Sequence, residues 1–267
     1  MKIALCLSGH LRTYKNTFES IHMQLINKYD CDVFISTWTN LGNALSYGVE
    51  YEEGKDKADP VISKESVEKI YSPIAIKMDG AATDPTTIKI KKDYAGLRAK
   101  NTAQIAQSVI MYYKIWDCNR LKREHEEKNG FKYDLVIRCR FDTYIKNIEM
   151  EKIDSCVQFI PGYMGVCDMM FLGPSQMMDD VCDLYTVLSP ELDFTGFVNA
   201  ENMLYDHVVG NHIPFQSRYD VFVYHRYVNA GMFDMKGNRV GDLPLRYVND
   251  ELVDRSGKKL QDRLSKI

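Results

Sequence analysis

Tyr133-Asp-Leu-Val-Ile-Arg138-Cys-Arg140-Phe-Asp142-Thr-Tyr-Ile145 is an apolar run that ends in two arginines and an aspartate. Leu135, Val136 and Ile137 form the unbroken apolar segment expected of a strand covered on both faces, the habit of parallel sheets. Charge arrives only at the carboxyl end, where open α/β sheets bind their ligands. Spacing by two would point Arg138, Arg140 and Asp142 to one side of an extended chain. Two chemistries fit that spacing. Guanidiniums can pair with the oxygens of a diphosphate while the carboxylate offers a hard oxygen to Mg²⁺ or Mn²⁺. Equally, Asp142 can form a structural salt bridge with one of the arginines.

Working outward, residues 2–7 read as a first strand, and 13–29 as a helix with Phe18, Ile21, Leu25 and Ile26 on one stripe and Thr13 as cap. Residues 31–37 form a second apolar strand, which starts a right-handed βαβ unit. The polar stretch 38–60 reads as a ligand-covering loop. A short helix at 63–71 and a strand at 74–78 come next, then 80–93 as a mobile stretch whose Lys89, Lys91 and Lys92 face solvent. The longest helical pattern spans 96–128, with Ile105, Val109, Tyr112 and Trp116 recurring and Asn129-Gly130 as its stop. Beyond the arginine-bearing strand come strands at 157–160 and 168–173, helices at 174–187 and 200–209, and a strand at 219–225. The expected organisation is one α/β domain over 1–230, with a C-terminal extension over 231–267 that is packed on it or partly exposed.

Lys plus Arg number 34 against 37 Asp plus Glu, a net charge of −3, which argues against a general nucleic-acid binder. The first apolar run is too short for a signal peptide, and no stretch approaches the ~20 apolar residues of a membrane span. The expectation is a soluble, cytoplasmic chain, with peripheral membrane contact left open. The 7 cysteines include no Cys-x-x-Cys pair, and Cys6, Cys31, Cys139 and Cys167 lie in or beside apolar runs. Buried free thiols are therefore expected, in preference to disulfides or zinc.

Five segments in order, Leu7-Ser-Gly-His-Leu-Arg12, Asp32-Val-Phe-Ile-Ser-Thr-Trp38, Tyr133 to Asp142, Asp168-Met-Met-Phe-Leu-Gly173 and Ala200-Glu-Asn202, span most of residues 2–225. Together they resemble the GT-A-fold nucleotide-sugar glycosyltransferases, especially the capsule, lipopolysaccharide and large-DNA-virus (chlorovirus-type) sugar transferases. The resemblance implies a three-layer α/β sandwich with a central, mostly parallel sheet flanked by helices. It implies transfer of a sugar from a UDP- or GDP-linked donor to a hydroxyl of a carbohydrate acceptor, assisted by Mn²⁺ or Mg²⁺. The usual metal signature of that family is Asp-x-Asp, whereas this chain has Arg140-Phe-Asp142.

Under the resemblance, Ser8, Gly9 and His10 form the turn that approaches the nucleotide, and Arg12 reaches the diphosphate from the helix entrance. Arg138 and Arg140 join them. Arg98 and Asn101, at the start of the long helix, are further donor-site candidates. Asp142 holds the cation, with His225 as the late histidine that completes some family metal sites. Glu201, opening a helix, is the candidate base, and Asp168 is the other candidate, as base or acceptor anchor. A non-catalytic nucleotide- or glycan-binding module on the same sheet is the rival reading. A dinucleotide oxidoreductase is disfavoured, because the first turn lacks the second and third glycines a pyrophosphate needs.

Overall fold

The computed structural model describes residues 1–12, 14–42, 61–97, 101–150, 155–162, 164–194, 198–218, 222–225, 231–233, 239–242, 246–248 and 251–253. Strand β1 (Ile3–Gly9) runs parallel to β2 (Asp32–Trp38), and β2 parallel to β3 (Ala75–Asp79). Between β1 and β2 lies α1 (Tyr14–Ile21), prolonged by a π-helical turn (His22–Ile26) and a last turn, α2 (Asn27–Tyr29). The expected cap Thr13 and the covering loop beyond 42 lie outside the described residues.

Helix α3 (Lys64–Tyr71) precedes β3 and is capped by Ser63, whose side chain accepts from the Ser66 amide. After β3 the chain forms α4 (Pro85–Tyr94), where a mobile stretch was expected. Asp84 caps it by accepting from the Thr87 N–H, and Pro85 occupies the first turn, where its missing N–H costs nothing. The long helix α5 (Thr102–Asn129) begins some six residues later than its periodicity suggested, and Gly130 ends it in the left-handed region at φ 66°.

Helix α5 returns the chain to the other side of β1, where β4 (Leu135–Cys139) pairs parallel to it. Strand β5 (Thr143–Asn147) comes after a turn. Strand β6 (Val157–Phe159) and β7 (Met170–Gly173) complete most of the sheet, with β7 antiparallel to both β4 and β6. The helix expected over 174–187 is two pieces, α6 (Ser175–Cys182) and α7 (Leu184–Val187), divided at Asp183. Helix α8 (Ala200–Gly210) leads to β8 (Phe215–Ser217), an edge strand not foreseen.

The seven strands lie in the order β3-β2-β1-β4-β7-β6-β8, with only β7 reversed, so the mostly parallel central sheet is as expected. One face packs Leu5, Leu7, Ile35 and Ile137 against Tyr14, Leu25, Val67 and Tyr71 of the first helices. The other packs Cys6, Phe34 and Val136 against Ile105, Val109, Tyr112, Met178 and Leu204. Coverage on both faces is why β1 and β4 read as continuous apolar runs.

Strand β9 (Phe222–His225) pairs antiparallel with β5 outside the main sheet. Within the expected extension, β10 (Gly231–Phe233) pairs with β11 (Arg239–Asp242), and β12 (Arg246–Val248) with β13 (Glu251–Val253). The cysteines are free and all but Cys156 are buried, as their apolar surroundings implied. Among the described residues no helix is long and apolar enough to cross a membrane.

Candidate active site

The chain moves from β1 outward to β2 and β3, then crosses to β4 on the opposite side of β1. The carboxyl ends of β1 and β4 therefore flank a topological switch point, the position at which open α/β sheets leave a crevice. Ser8 and Gly9 end one of these strands, and Arg138, Cys139 and Arg140 end the other. Helix α1 is fastened above them: the Thr17 hydroxyl donates to the Phe141 carbonyl, and the Ile145 N–H donates to Ser20 Oγ at 3.2 Å. This fastening brings Arg12, in the left-handed region at φ 47°, over the end of β4.

Strand β4 stops at Cys139, so Asp142 lies in a turn instead of continuing the alternation, and it folds back on Arg140. Arg140 grips it with two bonds, Nε to Oδ1 at 2.9 Å and Nη2 to Oδ2 at 3.0 Å. Arg12 Nη1 donates to the same Oδ2 at 3.1 Å. Asp142 is fully buried, and Arg12 and Arg140 keep only 22% and 15% of their side chains exposed. Burial works against the charge on Arg140, but Asp142 and Asp168 more than offset it and hold the guanidinium more firmly protonated than usual.

Arg138 points to the α5 face of the sheet. Its Nε donates to Ser8 Oγ at 3.2 Å, and its Cζ stands 5.6 Å from the centre of the Phe171 ring. Its Nη1 and Nη2 are buried and have no hydrogen-bond partner. Burial lowers its proton affinity, with Asp168 acting in the opposite sense.

Across Arg140 lies Asp168, whose Oδ2 accepts from Arg140 Nη1 at 3.4 Å. Asp168 in turn meets Cys167 and Glu201: one ligand-type atom from each of the three lies within 4.8 Å of the others. Burial first, and then the two acids, push the Cys167 thiol well above its ordinary range. Glu201 sits in the first turn of α8, where a capping box fixes the helix start. Asn199 Oδ1 accepts from the Asn202 N–H at 2.9 Å, and Asn202 Oδ1 accepts from the Asn199 N–H at 3.2 Å. Tyr112 of α5 donates to the Ala200 carbonyl at 2.6 Å, which ties that start to the core.

The two candidate acids thus meet each other, and Asp168 also meets Arg140. Of the remaining candidates, Gly9 takes φ 104° and its carbonyl accepts from Thr37 Oγ1 at 2.7 Å. His10 packs on Trp38, with ring centres 5.9 Å apart, and against Gly42. A Cβ at Gly42 would stand 2.5 Å from the His10 ring, so the close approach needs glycine at that position. The Asn101 amide donates to the Val198 carbonyl at 2.5 Å. Arg98 lies outside the described residues, and His225 is placed by backbone register opposite Thr143. Tyr112 and Cys167 were not singled out for the site, because a tyrosine on an apolar helical stripe and a cysteine in an apolar run both read as core.

Among the described residues, neither possible ligand set fits Mn²⁺ or Mg²⁺. At Arg140–Asp142, three N–H donors already fill the carboxylate, and a cation would sit against two guanidiniums. At Cys167, Asp168 and Glu201, one ligand is a buried thiol held in its neutral form and another is paired with the Arg140 guanidinium, a poor match to cations that prefer oxygen ligands.

No protein-family model matches the chain, and no curated protein matches it. Among solved structures, a glycosyltransferase involved in the glycosylation of the major capsid of PBCV-1 is similar. The match covers 81% of this chain and 81% of that one, at 10% identity and a TM-score of 0.37. A likeness at that level assigns no role to the residues of this chain.

Proposed function

We propose that the protein is a glycosyltransferase that moves a sugar from a UDP- or GDP-linked donor to a hydroxyl of a carbohydrate acceptor. The observation that carries this reading is the meeting of Ser8, Arg12, Arg138 and Arg140 at the β1–β4 switch point with Asp168 and Glu201 beside them. Phosphate-binding cations at the departing diphosphate and a carboxylate at the acceptor hydroxyl are what glycosyl transfer to a hydroxyl uses. The arginines stabilise the charge that develops on the departing diphosphate. A carboxylate takes the proton of the acceptor hydroxyl as its oxygen attacks the anomeric carbon.

Glu201 is the better base of the two. Asp168 already accepts from Arg140 through Oδ2, which ties that oxygen to the guanidinium and suits the residue to hold an acceptor hydroxyl. Glu201 stands at the start of a helix whose cap fixes its position. Under this reading the family's usual cation has no fitting ligands at 140–142, and no step depends on one.

The test is a thermal-shift screen of nucleoside diphosphates and their sugars, followed by donor hydrolysis measured with the ligand that stabilises. A ligand at about a hundred times its dissociation constant should add about 2.7 kcal/mol to the native state. Absence of a shift with every nucleoside diphosphate would overturn the reading. Binding with no hydrolysis or transfer would leave a non-catalytic nucleotide-binding module instead.

A further inference from the structure

We propose that this site neutralises its diphosphate with guanidiniums alone and no divalent cation, Arg138 being the group that the anion completes; the proposal rests on the nucleotide-sugar reading above. Arg138 is 1% exposed, yet its Nη1 and Nη2 meet no acceptor. A buried charge left without partners is costly, and buried polar groups in native proteins are nearly always paired. Ser8 holds one edge of the guanidinium and Phe171 lies near its face, which leaves the Nη pair as the edge without an acceptor. That edge suits two phosphate oxygens, which a guanidinium takes up in a fork.

The second, independent observation is the state of Asp142. Arg140 stands where the family pattern places a carboxylate, and it holds Asp142 together with Arg12. The aspartate therefore orients two guanidiniums toward one end of the sheet. A divalent cation added there would meet the two guanidiniums of Arg12 and Arg140. A diphosphate would meet complementary charge, with Asp142 keeping the arginines from repelling one another.

Binding of UDP, GDP and inorganic pyrophosphate to the full chain, by calorimetry in EDTA and again in Mn²⁺, tests this. The expected result is a dissociation constant in EDTA within about twofold of that in Mn²⁺, weakened about tenfold or more by Arg138→Met. The unliganded Arg138→Met protein should melt no lower than the parent, because an unpaired buried charge has been replaced by an apolar stem. Arg12→Ala, at a partly exposed side chain, should weaken the same metal-free binding and supplies the readout should Arg138→Met not fold. Binding that appears only with Mn²⁺ overturns the cation-free site and leaves the nucleotide reading standing. Pyrophosphate binding in EDTA without nucleotide binding keeps the guanidinium site and removes the nucleotide-sugar reading. If none of the three binds, both fall. An Arg138→Met protein that melts early but keeps full affinity, or an Arg12→Ala protein of unchanged affinity where Arg138→Met does not fold, would also overturn the proposal.

Discussion

At the scale of single residues, Asp142 shows how a charge can be written plainly in a sequence and still have its role decided by its neighbours. Its buried carboxylate accepts from Arg12 and from Nε and Nη2 of Arg140. Asp142→Asn would leave two guanidiniums facing a neutral amide, and the expected cost is about 3–5 kcal/mol of stability, read by urea denaturation. Little change in stability would show that the carboxylate is not holding the arginines. Glu201→Gln makes a separate case. The amide keeps the shape and cannot take a proton, so turnover should fall about a hundredfold or more with donor affinity nearly intact. If Glu201→Gln is active and Asp168→Asn is not, the base is Asp168. The spacing of Arg138, Arg140 and Asp142 announced a charged strand end, but it left two roles for Asp142 equally open. The turn after Cys139, which folds the aspartate back on Arg140, was invisible to period-two reasoning.

At the scale of elements, α8 links local sequence to site geometry most directly. Its capping box occupies Asn199 and Asn202, and Glu201 lies between them. Asn199→Ala should cost about 0.5–2 kcal/mol of stability and also lower activity, since the cap sets where Glu201 stands. A variant that loses the stability and keeps its full rate would separate the cap from the site. Helix α4 shows the opposite relation between sequence and structure. Asp84-Pro85 is a sound helix start, but Thr86, Thr87, Ile88 and Ile90 are β-branched and disguise the helix behind it. Burial of Thr87, Ile90 and Tyr94 overrides that local preference. In α5 the apolar stripe was readable, whereas the burial of Lys114, Asp117, Lys122 and Glu126 was not.

For the whole molecule, those buried charges predict how the fold responds to acid. Lys122 Nζ lies 2.7 Å from Asp179 and 3.1 Å from Glu126, and the Tyr133 N–H donates to Glu126 at 2.9 Å. Burial alone would raise both carboxylates, but the Tyr133 amide and Lys132 for Glu126, and Lys122 for Asp179, hold them below their ordinary values. The folded carboxylates thus bind protons less readily than the unfolded ones. Their stabilisation is complete above an unfolded value of about 4 and is lost as pH falls through the lower folded values. Urea denaturation at pH 7 and pH 3 should show that loss. Lys122→Met should destabilise by about 3–5 kcal/mol at pH 7 and shrink the difference between the two pH values, because Asp179 loses its main ionising partner and Glu126 one of several. An unchanged acid response in the variant would place the sensitivity elsewhere. The sequence by itself determined the α/β alternation, the buried character of β1, β2 and β4, and the strand end that carries the charges. Those features come from local periodicity and from apolar runs that must be covered on both faces. Only the tertiary structure decided the strand order, the crossing of β4 to the far side of β1, and the meeting of Arg12, Asp142, Asp168 and Glu201. These depend on contacts between residues far apart in the chain, whose energies come from burial and pairing that no single segment contains.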